Sequence, residues 1–274
     1  MEKIILITGA TSGIGKATAL EFLRRGERVL IGARNEKSGA AVREEFRNLT
    51  GRDAEVVTGD LSSLASVHGM ADTVRKAVPH LDVLINNAAA YKSTRQLTAD
   101  GFELMFGTNH LAPFLLTHLL LDTLKASGHA RVLNIAAPST NKLIFDDLQS
   151  ETNFNSLNAF GASKMANLLF TFDLARRLSG TGITVNAIHP GLARSNIMSD
   201  ANFFMRLMSN LFSGAPEKAA QGIVRVAVGE EYASQTGKFF TQGREIQPAK
   251  YAFDRSTQQK LWDASMKLTG LLMG

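Results

Sequence analysis

The sequence predicts a doubly wound α/β fold, in which helices cover both faces of a parallel sheet of about seven strands. Three observations support this prediction. Short runs of apolar and β-branched residues recur along the chain, longer helix-like stretches separate them, and no segment of the 274 residues resembles a linker. Continuous apolar runs are typical of strands that are buried on both faces of a sheet. We therefore expect a single domain over residues 1–274.

The predicted strands and helices alternate from the N-terminus onward. The apolar runs that predict strands are residues 4–8, 28–33, 54–59, 81–86, 131–135, 183–188 and 238–241. The stretches that predict helices are residues 14–25, 37–49, 64–78, 101–125, 160–178 and 216–228. Alternation of this kind implies right-handed crossovers between parallel strands.

One stretch interrupts this alternation. Residues 195–214 are rich in phenylalanine, methionine and leucine, and they include Met198 and Phe203. A lid over an apolar ligand pocket would have this composition, because methionine side chains adapt to irregular shapes. Two short amphipathic helices packed on the domain, or a patch that contacts a membrane surface, are the alternatives.

The composition limits the classes of function. The chain has no cysteine, which excludes disulfides, thiolate nucleophiles and thiolate metal sites, and we predict no metal site. The net charge is +5, but the basic residues are scattered, so we expect no nucleic-acid partner. No apolar run approaches the roughly 18 residues of a membrane span, and no signal peptide precedes the first strand pattern. We expect a cytoplasmic protein.

The strongest local signal is a glycine-rich turn between the first predicted strand and the first predicted helix. It reads Thr8-Gly9-Ala10-Thr11-Ser12-Gly13-Ile14-Gly15. Glycines let the backbone approach a pyrophosphate closely, and the start of the helix offers free N–H groups and a positive dipole end. In this context the pattern predicts a dinucleotide site of the Rossmann type. The predicted contacts are Gly9, Thr11, Ser12, Gly13, Ile14 and Gly15.

Three further motifs follow, each at the end of a predicted strand. They are Gly59-Asp60-Leu61, Asn86-Asn87-Ala88-Ala89, and His189-Pro190-Gly191 followed by Ser195. Together with the TGxxxGxG spacing of the first turn, they resemble the short-chain dehydrogenase/reductase family along nearly the whole chain. The resemblance implies cofactor contacts at Asp60, Leu61, Asn87, Ala88, Pro190, Gly191 and Ser195. Ala89 stands where the family has glycine, which adds a methyl group and favours negative φ.

The end of the second predicted strand indicates which dinucleotide binds. An acidic residue there would hold the ribose 2′-hydroxyl of NAD, but this strand ends in Arg34. An arginine can form paired, charge-assisted hydrogen bonds to a 2′-phosphate. We therefore predict NADP(H); the alternative is a solvated Arg34 that contacts nothing.

The family resemblance also implies four side chains for proton chemistry. In the family, a tyrosine donates a proton to the substrate oxygen, and a lysine four residues later lowers its pKa and binds the nicotinamide ribose. A serine orients the substrate oxygen, and an asparagine anchors a water chain. Asn109 and Lys164 match this set, but Phe160 stands at the tyrosine position and Ala137 at the serine position. An inactivated reductase and a naturally diverged enzyme would both show this pattern.

Two other hydroxyl-bearing residues are candidates for the substrate pocket. Tyr91 follows the fourth predicted strand, in a loop that borders the pocket in the family, and is expected to be a pocket wall. Ser139 follows Ala137 closely, although turn chemistry around Pro138 is the preferred interpretation. The i,i+4 spacing of Phe160 and Lys164 places both on one helix face.

The segments 109–117, 145–149 and 166–171 are similar to the retinol-dehydrogenase-like branch of the family. This resemblance implies a lipophilic alcohol or carbonyl substrate, and a homodimer through the helices that carry Asn109 and Phe160. Three functions remain open: an NADP(H)-dependent oxidoreductase that lacks its proton donor, a non-redox cyclase or isomerase on the same scaffold, and an NADP(H)-binding protein without turnover.

Overall fold

Within the residues that the structure describes, eight strands form one sheet in the order β3-β2-β1-β4-β5-β6-β7-β8, parallel except for the last pair. The computed structural model describes residues 2–191 and 216–271. The strands are β1 (Ile4–Thr8), β2 (Arg28–Ala33), β3 (Glu55–Thr58), β4 (Val83–Asn86), β5 (Arg131–Ile135), β6 (Thr184–His189), β7 (Phe239–Thr241) and β8 (Arg244–Glu245). The predicted doubly wound sheet is therefore confirmed, with the antiparallel two-residue β8 added at one edge.

Helices follow the strands on both faces of the sheet. They are α1 (Gly13–Arg24), α2 (Glu36–Thr50), α3 (Leu64–Ala77), α4 (Leu104–Phe106), α5 (Ala112–Leu119), α6 (Leu121–Lys125), α7 (Ser156–Arg177), α8 (Pro216–Val228) and α9 (Arg255–Leu268). No helix in the described ranges combines the length and the apolar character that crossing a bilayer requires. The predicted lid at 195–214, with Ser195, Met198 and Phe203, lies outside the described residues.

The two faces of the sheet bury separate apolar clusters. Phe22 of α1, Phe46 of α2 and Val224 of α8 pack on one face. Phe114 of α5 and Phe170 of α7 pack on the other. Burial on both faces is the reason that the strands appear in the sequence as continuous apolar runs.

The sheet order reverses beside β1, which has β2 on one side and β4 on the other. The connections leave in opposite directions there, and a crevice opens beyond the carboxyl ends of these strands. The glycine-rich turn follows β1 at this point, so the topology places a ligand crevice where the sequence predicts one.

The predicted helix 101–125 is wrong as one continuous helix. A π-helical turn, Gly107–Leu111, separates α4 from α5, and the N–H of Ala112 bonds the carbonyl of Gly107, five residues back. Pro113 explains the interruption, because it lacks an N–H and its ring would clash with the carbonyl of Asn109 in a regular α-helix.

Candidate cofactor and active site

A cavity of about 620 Å³ runs along the carboxyl ends of the central strands. It extends from the glycine-rich turn after β1 to the side chains of Phe160 and Lys164 on α7. Most of the predicted cofactor contacts line it: Gly9, Thr11, Ser12, Gly13, Ile14, Gly15, Arg34, Asp60, Leu61, Asn87, Ala88, Lys164, Pro190 and Gly191. One continuous space therefore joins the predicted phosphate site to the predicted reaction site.

The start of α1 leaves its first N–H groups available. Ser12 is the N-cap residue, yet its side chain makes no capping hydrogen bond, and no acidic residue lies in the first turn. Uncapped N–H groups at a helix start, together with the dipole, favour an anion. This end of the cavity therefore suits a phosphate group.

Two positions in the glycine-rich turn leave no room for a side chain. Gly9 has φ +65°, and a Cβ there would lie 2.8 Å from Cα of Ala88. A Cβ on Gly15 would lie 2.3 Å from Nδ2 of Asn87 and 2.4 Å from the carbonyl oxygen of Gly9. Side chains cannot occupy these spaces, so the turn requires glycine at both positions.

Asn87 and Ala88 hold the glycine turn in place. Nδ2 of Asn87 donates to the carbonyl of Thr8 at 2.8 Å, and the backbone N–H groups of Asn87 and Ala88 donate to Oγ1 of Thr8 at 3.0 and 3.1 Å. The loop after β4 is thereby tied to the loop after β1. Asn87 and Ala88 therefore line the cavity and also hold the glycine-rich turn in position.

Arg34, which lines the cavity just before α2, is exposed and has no ion-pair partner within the described residues. Beside it, Asn35 caps α2 by accepting the N–H of Ser38 at 2.9 Å, and both residues line the cavity. Sequence reasoning missed Asn35 and Ser38. The signal that could have found them is the N-cap pattern that starts directly after Arg34.

Asp60 and Leu61, which follow β3, also line the cavity. Oδ1 of Asp60 accepts the N–H of Ser62 at 2.9 Å, which fixes the turn, and Leu61 is half-buried beside it. Asp60 and Leu61 thus line the same cavity as Arg34.

On α7, Lys164 and Phe160 face the cavity together. Nζ of Lys164 lies 5.5 Å from the centroid of the Phe160 ring and donates to the carbonyl of Ile135 at 3.3 Å. Lys164 is only 4% exposed, and burial lowers its pKa to about 8. The ammonium group is thus held in an apolar pocket.

The remaining lining at this end is mostly apolar. Ile135 ends β5, Ala136 and Ala137 follow it, and His189 ends β6. Burial lowers the pKa of His189, while a hydrogen bond to the backbone of Ala136 opposes this. Lys164 and His189 are therefore the titratable side chains that the described lining offers at the reaction end.

Asn109 does not face the cavity. It is fully buried; its Oδ1 accepts the N–H of Ala90 at 2.6 Å, and its Nδ2 donates to the carbonyl of Ala90 and to Oγ of Ser163, both at 3.0 Å. The side chain therefore ties the loop after β4 to α7, and its amide atoms are occupied by these contacts.

The two candidate pocket hydroxyls lie outside the cavity lining. The Tyr91 hydroxyl donates to Oγ of Ser156 at 3.0 Å, one helical turn before Phe160, and its ring meets the Phe160 ring edge-on with centroids 5.7 Å apart. Oγ of Ser139 donates to the carbonyl of Gly161 at 2.8 Å. Both hydroxyl groups are bound to α7 instead of facing the space beside Lys164.

The sequence was compared with protein families and with known relatives. The profile of the short chain dehydrogenase family matches residues 3–203. The chain is 39% identical to human retinol dehydrogenase 14, over 98% of the chain and 87% of the relative, and 39% identical to human retinol dehydrogenase 13, over 98% and 85%.

Solved structures share the fold. A protein of unassigned function from Mycobacterium paratuberculosis superposes with a TM-score of 0.75 at 32% identity, covering 98% of this chain and 93% of that one. The RhlG/NADP active-site complex of Pseudomonas aeruginosa gives a TM-score of 0.72 at 27% identity, covering 91% and 96%. The chain belongs to the short chain dehydrogenase family, in the branch that contains the retinol dehydrogenases.

Proposed function

We propose that this protein is an NADP(H)-dependent oxidoreductase for a lipophilic alcohol or carbonyl compound, in which Phe160 and Ala137 replace the tyrosine and serine hydroxyls. The observation that carries the proposal is the single cavity that joins an uncapped helix start to a buried lysine. Free N–H groups at one end and a lysine beside an apolar pocket at the other are the features that would support dinucleotide binding.

The residues present fit the cofactor. The N–H groups at the start of α1 would hold the pyrophosphate, and Arg34, with Asn35 and Ser38 beside it, would hold a 2′-phosphate. Lys164 would donate to the hydroxyls of the nicotinamide ribose. The bound nicotinamide would supply the hydride.

The preference for a lipophilic substrate rests on two observations. Alanine, isoleucine and phenylalanine side chains dominate the reaction end of the cavity, and the relatives named above are retinol dehydrogenases. An apolar pocket with few polar groups favours an apolar ligand.

The described lining of this end carries no phenol and no serine hydroxyl, so turnover is expected to be slow. General acid catalysis contributes about 10²–10⁴-fold, and loss of one oxyanion donor costs about 10²–10³-fold. The two factors do not multiply, because such residues act as a unit.

The decisive experiment restores both hydroxyls. Phe160→Tyr combined with Ala137→Ser should raise turnover of ketones and aldehydes with NADPH by about 10²-fold or more, because it supplies a proton donor and an oxyanion donor. Phe253→Tyr, which adds a phenol at an exposed site, is the matched control. NADPH binding without any gain in the double variant would contradict the oxidoreductase proposal.

A second candidate is an NADP(H)-binding protein without turnover. It is favoured by the hydrogen bonds of Tyr91 and Ser139, which direct both hydroxyls onto α7. It predicts tight NADPH binding and no hydride transfer in the unaltered chain, which single-turnover absorbance measurements with bound NADPH would reveal.

A further inference from the structure

Lys164 differs from the other lysines that the structure describes, because its side chain is buried. It nevertheless lines the cavity, together with Phe160 on the same helix and Ile135 at the end of β5. Its Nζ donates one long hydrogen bond, of 3.3 Å, to the carbonyl of Ile135. The amine therefore lies in an apolar surrounding that a ligand in the cavity can also enter.

No carboxylate neutralises this amine within residues 2–191 and 216–271. The described cavity lining contains three other titratable side chains, those of Arg34, Asp60 and His189. None of them forms a hydrogen bond or an ion pair with Lys164. The Phe160 ring, with its centroid 5.5 Å from Nζ, attracts an ammonium ion only weakly. Burial outweighs this attraction and lowers the pKa of Lys164 to about 8.

A lysine with these surroundings is a nucleophile near neutral pH. At pH 7 about a tenth of the Lys164 side chains are neutral, roughly 300-fold more than for a lysine with the ordinary pKa of 10.5. Phe160 offers the nitrogen a ring but no oxygen, so residue 160 does not compete for it by hydrogen bonding. A neutral amine beside an apolar space favours reaction with an apolar electrophile that enters the same space.

We propose that, in the cofactor-free protein, Lys164 captures lipophilic aldehydes as a reversible imine. The nitrogen lone pair attacks the carbonyl carbon, and the carbonyl oxygen then leaves as water with both amine hydrogens while the C=N bond forms. One water molecule reverses the reaction, so neither an oxidant nor a reductant is needed. The choice of a lipophilic aldehyde rests on the proposed function, whose carbonyl substrate would occupy the same apolar lining.

Reductive trapping on the full chain tests the proposal. The cofactor-free protein is incubated with dodecanal and sodium cyanoborohydride, which converts an imine into a stable secondary amine, and peptide mapping by mass spectrometry locates the adduct. We expect the adduct at Lys164. Lys164→Met should lose it, whereas Lys76→Arg, at an exposed position of α3, should keep it. No adduct at Lys164 in the mapped, unaltered chain would overturn the proposal.

The pH profile of trapping distinguishes a buried amine from an ordinary one. Between pH 7 and 9 the rate at Lys164 should rise roughly tenfold and then level off, because the amine passes its pKa. N-acetyl-lysine amide, the matched control under the same conditions, should gain roughly a hundredfold without levelling off. The same profile for Lys164 and the control compound would overturn the proposal.

NADPH separates this inference from the proposed function. If both are correct, saturating NADPH suppresses trapping at Lys164, because the ribose hydroxyls and the aldehyde compete for the same amine. NADPH binding without any trapping in the cofactor-free protein would overturn the imine and leave the proposed function intact. Trapping at Lys164 in a protein that binds no NADPH would support the imine and overturn the proposed function.

Discussion

Among the described residues, the two ends of the cavity differ: the glycine-rich end offers an uncapped helix start and an exposed arginine, whereas the end formed by β5 and α7 has apolar side chains at two positions where the family has hydroxyls. No side chain caps the first N–H groups of α1, and the guanidinium of Arg34 is exposed, with no ion-pair partner among the described residues. By contrast, Phe160 and Ala137 carry no hydroxyl, and Asn109 is occupied by Ala90 and Ser163. If the proposed function is correct, we therefore expect that substitutions can change cofactor binding and hydride chemistry separately.

The largest expected effect concerns Lys164, whose burial costs stability. Its folded-state pKa of about 8 lies below the ordinary value of 10.5, so the folded state disfavours the ammonium form. Lys164→Met should raise the free energy of unfolding by roughly 2–3 kcal/mol at pH 7, while NADPH binds more weakly. Denaturant unfolding and cofactor titration measure the two changes.

The difference in unfolding free energy between the unaltered chain and Lys164→Met should change with pH in a definite direction. Below about pH 8 both states of Lys164 are protonated, so the full cost is present. Between about pH 8 and 10.5 the unfolded state binds more protons, and the stability of the unaltered chain rises relative to Lys164→Met. A constant difference across this window would show that the buried ammonium is not destabilising.

The second-largest expected effect is on NADPH affinity and concerns Gly15, at the end of the cavity opposite Lys164. Gly15→Ala places a methyl group against Nδ2 of Asn87 and the carbonyl of Gly9, so the turn must shift. Overpacking of this kind costs about 1–3 kcal/mol, and we expect NADPH affinity to fall by roughly 10–100-fold. Gly69→Ala, where an added Cβ meets nothing, is the control and should bind normally. Equal affinities for the two variants would show that the turn does not hold the cofactor.

The smallest effect distinguishes the two dinucleotides. Arg34→Ala removes a charged donor, so NADPH affinity should fall by roughly tenfold while NADH affinity stays nearly constant. Isothermal titration with both cofactors measures this. If the unaltered chain binds them equally, the assignment of Arg34 to a 2′-phosphate is wrong.

The sequence was sufficient where structure depends on local patterns. The buried strands and the glycine turn after β1 follow from apolar runs and turn chemistry, and the family resemblance added the motifs that end the other central strands, so most residues that line the cavity could be named in advance. Arg34 and Lys164 also line the cavity, Arg34 directly after the end of β2 and Lys164 one helical turn after Phe160; their roles toward a cofactor stay predictions.

Other features depend on contacts between distant segments, and only the tertiary structure decided them. Tyr91 and Ser139 follow the expected strands, but long-range hydrogen bonds direct their hydroxyls to Ser156 and Gly161 on α7. Likewise α9 was not predicted, because what holds it is a surface assembled from α5, α7 and the π-helical turn. Neighbours along the chain determine periodicity and turns, but they do not determine which faces meet after folding.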